Sequence, residues 1–263
     1  MKILFFADIV GTAGRLAVKD ALPMWRDKHK PDFIVANAEN SAHGDGVTPK
    51  ILDELTAIGV EAFTMGDHFM GTDFSKVTEY PIVRPGNLVG EYPGVGVRVV
   101  ENHLHRKLKL VNILGNAFMG RIEVQNFFKY ADQVLAADEK ADVVLVDFHA
   151  EATSEKNALG QYLDGKVSAV VGTHTHIPTA DSRILPKGTA YQTDVGMCAA
   201  LDSVIGFQTE DSYRFLRREM GEDVPKPTGD PADNPPFFCD AVLIETDGPT
   251  RAKGIQRLTT RPR

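Results

Sequence analysis

Short apolar runs that end in polar side chains recur along this chain. Five of them have the length and composition of buried β-strands, and they span residues 3–7, 33–36, 60–65, 143–148 and 167–171. The polar residues at or just beyond their ends are Asp8, Glu39, Asn40, Asp67, His68, His149, His174 and His176. Because the carboxyl ends of parallel strands line one crevice in an open α/β sheet, we expect these side chains to meet at one place.

Helical and alternating patterns lie between these strands. Helices are predicted up to about residue 28 after the first strand, and over residues 50–58, 124–140 and 154–163. Thr48 and Pro49 have the types expected at a helix start, and Gly59 is a plausible C-cap. Segments 95–102 and 107–114 alternate apolar and polar residues, which predicts an antiparallel pair of strands. Segment 224–236 contains five prolines and is predicted to be a loop, and segment 237–244 is predicted to be a further strand. We predict one α/β domain over residues 1–263, with mixed sheets packed between helices.

Composition narrows the class of protein. The chain has 263 residues, 43% of them hydrophobic, and a formal net charge of −7, so duplex nucleic acid is not an expected partner. A small phosphate ester stays possible, because bound cations would make the site locally positive. Two cysteines predict no disulfide framework. The apolar segment at the beginning of the sequence ends at Asp8 and is too short for a signal peptide or a membrane span. We therefore expect a cytoplasmic protein without a membrane partner.

The polar residues at the strand ends have the chemistry of a metal centre. Oxygen ligands mixed with imidazoles suit Mn, Fe or Zn, and the two carboxylate oxygens of Glu39 could bridge two ions. On extended backbone, the spacing of His174 and His176 puts both rings on one face. Each motif alone also fits a capped helix end, a solvated acid or a structural histidine. Their coincidence at strand ends favours a metal centre with two ions and predicts a metal-dependent hydrolase.

Five segments also resemble a known family. They are residues 8–11, 37–40, 148–156, 171–176 and 193–197. With Asp67 and His68, they resemble the motifs of the calcineurin-like metallophosphoesterase superfamily and, more closely, those of its YmdB-like branch. The resemblance implies a four-layer α/β/β/α sandwich of two mixed sheets and a dinuclear site that often holds iron or manganese. It also implies phosphodiesterase activity on 2′,3′-cyclic nucleotides, and homo-oligomers are known among similar proteins.

The resemblance assigns roles to individual residues. One metal would be surrounded by Asp8, Glu39, Asn40 and His176, and Glu39 would bridge to a second metal completed by Asp67, His149 and His174. His68 would stand beside the substrate. Two departures from the superfamily pattern concern this site. Val10 replaces the usual histidine of the first motif, for which Glu39 and Asn40 could compensate, and Asp67 replaces the usual asparagine, so metal preference or rate is expected to differ.

These residues could catalyse hydrolysis with a metal-bound hydroxide as the nucleophile. Two ions can clamp the attacking and leaving oxygens of an in-line displacement, and His68 is the candidate general acid for the leaving oxygen. Candidate substrate contacts are Arg15, near a helix N-terminus, His43, in a loop rich in small residues, and Arg84. A turn or a plain surface position explains each of these equally well or better. Asp194 could orient a metal-bound histidine.

Other functions stay open from the sequence. The same centre could serve a phosphomonoesterase or a 3′,5′-cyclic nucleotide phosphodiesterase. A nucleotide-binding module is disfavoured, because the chain lacks the full glycine motif and Asp8 occupies the place where a phosphate loop would start. A regulatory protein that keeps the metals with little turnover is a third hypothesis.

Overall fold

The computed structural model describes residues 1–120, 122–137 and 139–261. Residue 138 of the predicted 124–140 helix and the last two residues of the predicted domain lie outside this part. The helices are α1 (Gly11–His29), α2 (Pro49–Ala57), α3 (Phe127–Ala136), α4 (Thr153–Leu163) and α5 (Thr209–Glu219). The strands are β1 (Lys2–Phe6), β2 (Asp8–Ile9), β3 (Phe33–Asn37), β4 (Ala62–Thr64), β5 (Ile82–Val83), β6 (Val97–Glu101), β7 (Lys107–Leu114), β8 (Val143–His149), β9 (Ala169–Thr173), β10 (Arg183–Ile184), β11 (Ala190–Gln192), β12 (Met197–Ala200), β13 (Phe237–Thr246) and β14 (Ala252–Thr259).

The strands form two mixed sheets. The first has the order β2-β12-β13-β1-β3-β4-β5, with β14 also paired to β13. In it β1, β3, β4 and β5 are parallel, and β13 runs antiparallel to its neighbours. The second has the order β10-β11-β9-β8-β7-β6, with four parallel strands inside and an antiparallel strand at each edge.

Three apolar clusters separate four layers. Successive side chains of a strand point to opposite faces, so a strand buried on both faces contributes to two clusters. Phe5 of β1 and Leu145 of β8 belong to the cluster between the sheets, whereas Phe6 packs in the cluster beneath α1 and α2. Val146 of β8 faces a third cluster beneath α3 and α4. The molecule is therefore an α/β/β/α sandwich, which confirms the predicted fold class.

Most predicted elements are present, with shifted ends. Thr48 caps α2 by accepting from the backbone N–H of Ile51, and the segments at 95–102 and 107–114 form the antiparallel pair β6–β7. The predicted 124–140 helix is shorter and starts at Phe127, because Asn126 caps it by accepting from the N–H groups of the next turn. Helix α5 and strands β2, β5, β10, β11, β12 and β14 had no predicted counterpart. No helix in the described part is both long and apolar enough to cross a membrane.

The two sheets bring the predicted site residues together from two sides. Asp8, Glu39 and Asp67 lie at or beyond strands of the first sheet, and His149 and His174 lie at the ends of β8 and β9 in the second. The expectation of one shared crevice was right, but the crevice lies between the edges of two sheets.

Candidate metal centre

Four side chains point metal-ligating atoms at one another. One donor atom each from Glu39, Asp67, His149 and His174 lies within 4.8 Å of all the others. Two of these residues come from each sheet, and Glu39 and His149 are fully buried. We call these four residues the His149 group. Carboxylates and imidazoles converging at such distances are the donor set of a transition-metal site.

His149 is fixed in one orientation. Its Nδ1 lies 2.8 Å from the hydroxyl oxygen of Thr173, and that hydroxyl in turn donates to Asp147. Nδ1 must therefore carry the proton of the neutral ring, and Nε2 points into the group, 3.1 Å from Glu39 Oε1 and 2.8 Å from Asp67 Oδ1. Burial opposes a charge on His149, but Glu39 and Asp67 outweigh it and raise the pKa of this ring well above its usual range.

His174 is also held at both ring nitrogens. Its Nδ1 lies 3.2 Å from Asp67 Oδ1 and 3.1 Å from His149 Nε2, while its Nε2 lies 3.3 Å from Glu151 Oε2. The backbone is not extended here, since φ is 99° at His174 and 64° at His176. The predicted reason for pairing these histidines was wrong. Two left-handed turns, not strand alternation, direct their rings.

A second set of donors adjoins Glu39. Asp8, Asn40 and His176, which we call the Asp8 group, are all buried. Asn40 Nδ2 lies 3.1 Å from Glu39 Oε1 and 3.3 Å from His176 Nε2. His176 Nδ1 donates to the carbonyl of Ile205 at 2.7 Å, which leaves Nε2 free to bind a metal.

Two oxygens of the Asp8 group lack partners. Asp8 Oδ1 and Asn40 Oδ1 are buried, and no residue in the described part of the chain donates a hydrogen bond to them. A buried oxygen without a donor is costly, and such atoms are rare in native proteins unless an ion or water serves them. The donor types and the unpartnered oxygens fit a cation beside Glu39, and Glu39 adjoins both groups.

Gly66 allows Glu39 and His149 to approach. A Cβ atom at this position would lie 2.2 Å from Glu39 Oε2 and 2.3 Å from His149 Nε2. Real Cβ atoms essentially never lie this close to another atom, so any side chain at residue 66 would displace the Glu39 carboxylate and the His149 ring.

His68 lies beside the metal donors and is partly exposed. Its backbone N–H donates to Glu39 Oε2 at 3.2 Å, and its Nδ1 lies 3.1 Å from Asp45 Oδ1. Burial disfavours a charged ring, but Glu39, Asp67 and Asp45 outweigh it and raise the pKa of His68. The ring also lines a cavity of about 300 Å³ that borders both groups.

A buried carboxyl group behind His149 escaped the sequence analysis. Asp147 accepts hydrogen bonds from Thr173, Thr64 and Asn37. Burial raises its pKa to about 7, although the charge of His149 opposes this. The signal was visible in the sequence, because Asp147 is the lone charged residue in an otherwise apolar strand that ends in a histidine.

Asp194, which was expected to orient a metal-bound histidine, contacts the backbone between the donor histidines and not a ring. It accepts from Lys156 Nζ at 2.6 Å and from the backbone N–H of Thr175 at 3.1 Å. Both charged groups are buried. Asp194 therefore holds the peptide between His174 and His176, and it orients the two rings through the backbone.

The three predicted substrate contacts do not line the cavity. Arg15 donates to the carbonyl of Ser41 and pairs with Glu54, and the guanidinium of Arg84 donates to four backbone carbonyls. Their donors fasten loops in this structure, so the geometry gives no support to the predicted phosphate contacts of these two residues. His43 has a positive φ of 55° and is exposed in the loop beyond Asn40.

The class of the protein follows from this arrangement. Two facing mixed sheets, with acids and imidazoles converging at the ends of their strands, define an α/β metallophosphoesterase sandwich. Within that class, the chain belongs to the YmdB-like protein family, whose sequence model matches residues 4–258.

Characterised relatives and solved structures agree with this assignment. The chain is 45% identical over 223 residues to the 2′,3′-cyclic-nucleotide 2′-phosphodiesterase of Bacillus subtilis (strain 168), covering 84% of each chain. A hypothetical protein from Thermus thermophilus superposes with a TM-score of 0.86 at 38% identity, covering 98% of both chains. A novel phosphatase from Mycoplasma pneumoniae superposes with a TM-score of 0.88 at 33% identity, covering 98% of this chain and 92% of the other.

Proposed function

We propose that this protein is a phosphodiesterase that uses two metal ions to hydrolyse 2′,3′-cyclic nucleotides. The observation that carries the proposal is the convergence of the His149 group beside a cavity large enough for a small ligand. The 45% identity to a 2′,3′-cyclic-nucleotide 2′-phosphodiesterase supports the same substrate class.

The residues divide between two ions. Asp8, Asn40 and His176 would hold one ion, and Asp67, His149 and His174 the other, with Glu39 shared between them. The unpartnered oxygens of Asp8 and Asn40 support the first assignment, and the short distances within the His149 group support the second. The mixture of carboxylate, amide and imidazole donors suits iron best in our proposal, with manganese or zinc as alternatives.

His68 is the proposed general acid. In the reaction, a water oxygen bonds to phosphorus while the bond from phosphorus to the ribose 2′ oxygen breaks, and that oxygen needs a proton. Bound cations would supply activation of the water and neutralise charge on the phosphoryl oxygens. The carboxylates around His68 raise the pKa of its ring, which favours the protonated form that a general acid needs. The ring is partly exposed and lines the cavity, so it can reach a substrate there.

Association between copies is part of the proposal. Helix α5 exposes Tyr213 and Leu216 on one face, and Met220, the residue just after the helix, is exposed four positions further on. An apolar face of this kind supports a homo-oligomer. The cytoplasmic location and the lack of membrane and duplex nucleic-acid partners stay predictions of the sequence.

The experiment combines metal analysis with turnover. Purified protein is analysed for Fe, Mn and Zn and assayed with 2′,3′-cyclic AMP. His68→Ala should retain the wild-type metal content and lower kcat by about 10²–10⁴-fold, the usual contribution of a general acid. His105→Ala is the matched control, since this histidine is exposed and pairs only with Glu101.

Other outcomes of this experiment would change the proposed roles or the proposed function. Equal loss of metal and turnover in His68→Ala would make His68 a ligand. Bound metal without turnover on any phosphodiester would favour the regulatory hypothesis, and preferred hydrolysis of a phosphomonoester or of 3′,5′-cyclic AMP would reassign the substrate. Protein that takes up no metal would overturn the proposal.

A further inference from the structure

The cavity beside the metal donors has two chemically different walls. One wall is polar and consists of members of the two metal-donor groups together with His68, Glu151 and Thr175. The rest of the lining is apolar and consists of Ile205 and Phe207, which we call the apolar wall. A ligand bound here would contact both charged and hydrocarbon side chains.

Ile205 is held in an unusual backbone conformation. Its φ is 47°, in the left-handed region that β-branched residues rarely adopt. Its carbonyl accepts the 2.7 Å hydrogen bond from His176 Nδ1, and its side chain is 44% exposed. The same bend therefore orients a metal donor and presents an apolar side chain to the cavity. Strained residues of this kind cluster at functional sites.

Phe207 is fixed beside it. The backbones of Val204 and Phe207 exchange two hydrogen bonds of 3.0 Å around Gly206. The ring packs directly on Gly44, where an added Cβ would lie 2.8 Å from Phe207 Cε1. Gly44 belongs to the loop that follows Glu39 and Asn40, so the ring is supported by the segment that carries the shared carboxylate.

We propose that Ile205 and Phe207 form the nucleobase subsite of this cavity. The inference rests on the proposed function, which places the cyclic phosphate at the metal donors and so directs the base toward the remaining lining. Bases stack on aromatic side chains through faces that every base has. Two apolar side chains offer no hydrogen bonds to the edge of a base, so all four bases are accepted, and the larger purines bind better.

A pair of substrates tests the subsite. Glycerol 1,2-cyclic phosphate presents the same five-membered cyclic ester as 2′,3′-cyclic AMP but has no base. Phe207→Ala should lower the ratio of kcat/KM for 2′,3′-cyclic AMP to kcat/KM for the glycerol ester by about 5- to 150-fold, the range expected for one lost stacking contact. Phe207→Trp should keep the ratio high, and Phe207→Leu should lower it while filling the space against Gly44. Phe215→Ala, on the exposed surface of α5, is the matched control and should keep the wild-type ratio.

The results distinguish a failure of the proposed function from a failure of the nucleobase subsite alone. A wild-type protein that hydrolyses neither ester contradicts the proposed function itself. A wild-type protein that hydrolyses both, with a ratio that Phe207→Ala and Phe207→Leu leave at the wild-type value, contradicts the subsite alone. A strong preference among the four 2′,3′-cyclic nucleotides that does not follow base size would also overturn it, because the apolar wall cannot read base edges.

Discussion

The two halves of the candidate metal centre differ in how their donors are satisfied. In the His149 group, Glu39, Asp67, His149 and His174 contact one another at 2.8–3.2 Å, so a proton on an imidazole can satisfy the acids. In the Asp8 group, Asp8 Oδ1 and Asn40 Oδ1 face no donor. A metal that enters the first half must displace a proton, whereas one that enters the second meets oxygens without partners.

This difference assigns separate tasks to the residues behind each half. The His149 group depends on groups that set the orientation of its rings, namely Thr173 and Asp147 behind His149 and Glu151 behind His174. The Asp8 group depends on the backbone, because the carbonyl of Ile205 orients His176. Substitutions can therefore damage one half and spare the other.

Gly66→Ala should have the largest effect on turnover and on metal content. The added methyl would displace the Glu39 carboxylate and the His149 ring by about 1 Å, since it would lie 2.2–2.3 Å from their ligand atoms and ordinary contact begins at 3.4 Å. A displacement of that size can cost about 10²-fold in turnover. We expect kcat on 2′,3′-cyclic AMP to fall at least that far and one of the two metals to be lost. Metal analysis and steady-state kinetics measure both.

Gly254→Ala is the control for this substitution. Among the described residues, none beyond the two chain neighbours has an atom within 4 Å of the Cβ position at Gly254 in strand β14. If Gly66→Ala kept both metals and wild-type kcat, the close approach of Glu39 and His149 would not be needed for the site.

Glu151→Ala should weaken metal binding by a smaller factor. The Glu151 carboxylate lies 3.3 Å from His174 Nε2 and so directs Nδ1 of this ring toward the His149 group. Loss of such a partner typically costs about 10- to 100-fold in metal affinity or activity. Competition with a chelator should show this loss for one metal only. Glu151→Gln keeps an oxygen that can accept from Nε2 and should retain most of the affinity.

Glu210→Ala, an exposed acid at the start of α5, is the matched control. Wild-type metal affinity in Glu151→Ala together with a raised KM would show that this carboxylate contacts substrate instead of positioning His174.

The sequence predicted which residues meet, but not how they are oriented. Strand periodicity and strand ends located Asp8, Glu39 and His149 correctly, because each follows an apolar run that must be buried. The turns at His174 and His176, both with positive φ, have no periodic signal. They are fastened by hydrogen bonds from Thr175 N–H to Asp194 and from His176 Nδ1 to the carbonyl of Ile205, and both acceptors are distant in the chain. Contacts between residues that are distant in the chain cannot be predicted from a local sequence pattern.

The substrate side of the site was harder to predict for the same reason. Arg15 and Arg84 looked like phosphate ligands because their charge is visible in the sequence, yet their guanidinium groups fasten loops. Phe207 carries no charge and follows no strand signal, and it reaches the cavity only because its ring packs on Gly44.

Asp147→Asn should change how stability depends on pH, in the direction set by proton linkage. Burial raises the pKa of Asp147 to about 7 in the folded protein, against an ordinary value of 3.8. Between these values the folded state binds more protons than the unfolded state, so this carboxyl group makes stability fall as pH rises from about 4 to 7. The slope from one such group is at most ~1.4 kcal/mol per pH unit.

The comparison needs protein kept in EDTA, so that metal binding does not enter the measurement. Urea unfolding at pH 5, 6, 7 and 8 gives the free energy of unfolding for wild type and for Asp147→Asn. The difference between the two should change with pH up to about 7 and then level off, since above that value Asp147 is ionised in both states. Asp233→Asn, at an exposed position, should follow the wild-type curve. Parallel curves for wild type and Asp147→Asn would show that the Asp147 carboxyl group is already ionised at pH 5. The surroundings of the His149 group would then carry one more negative charge than we infer.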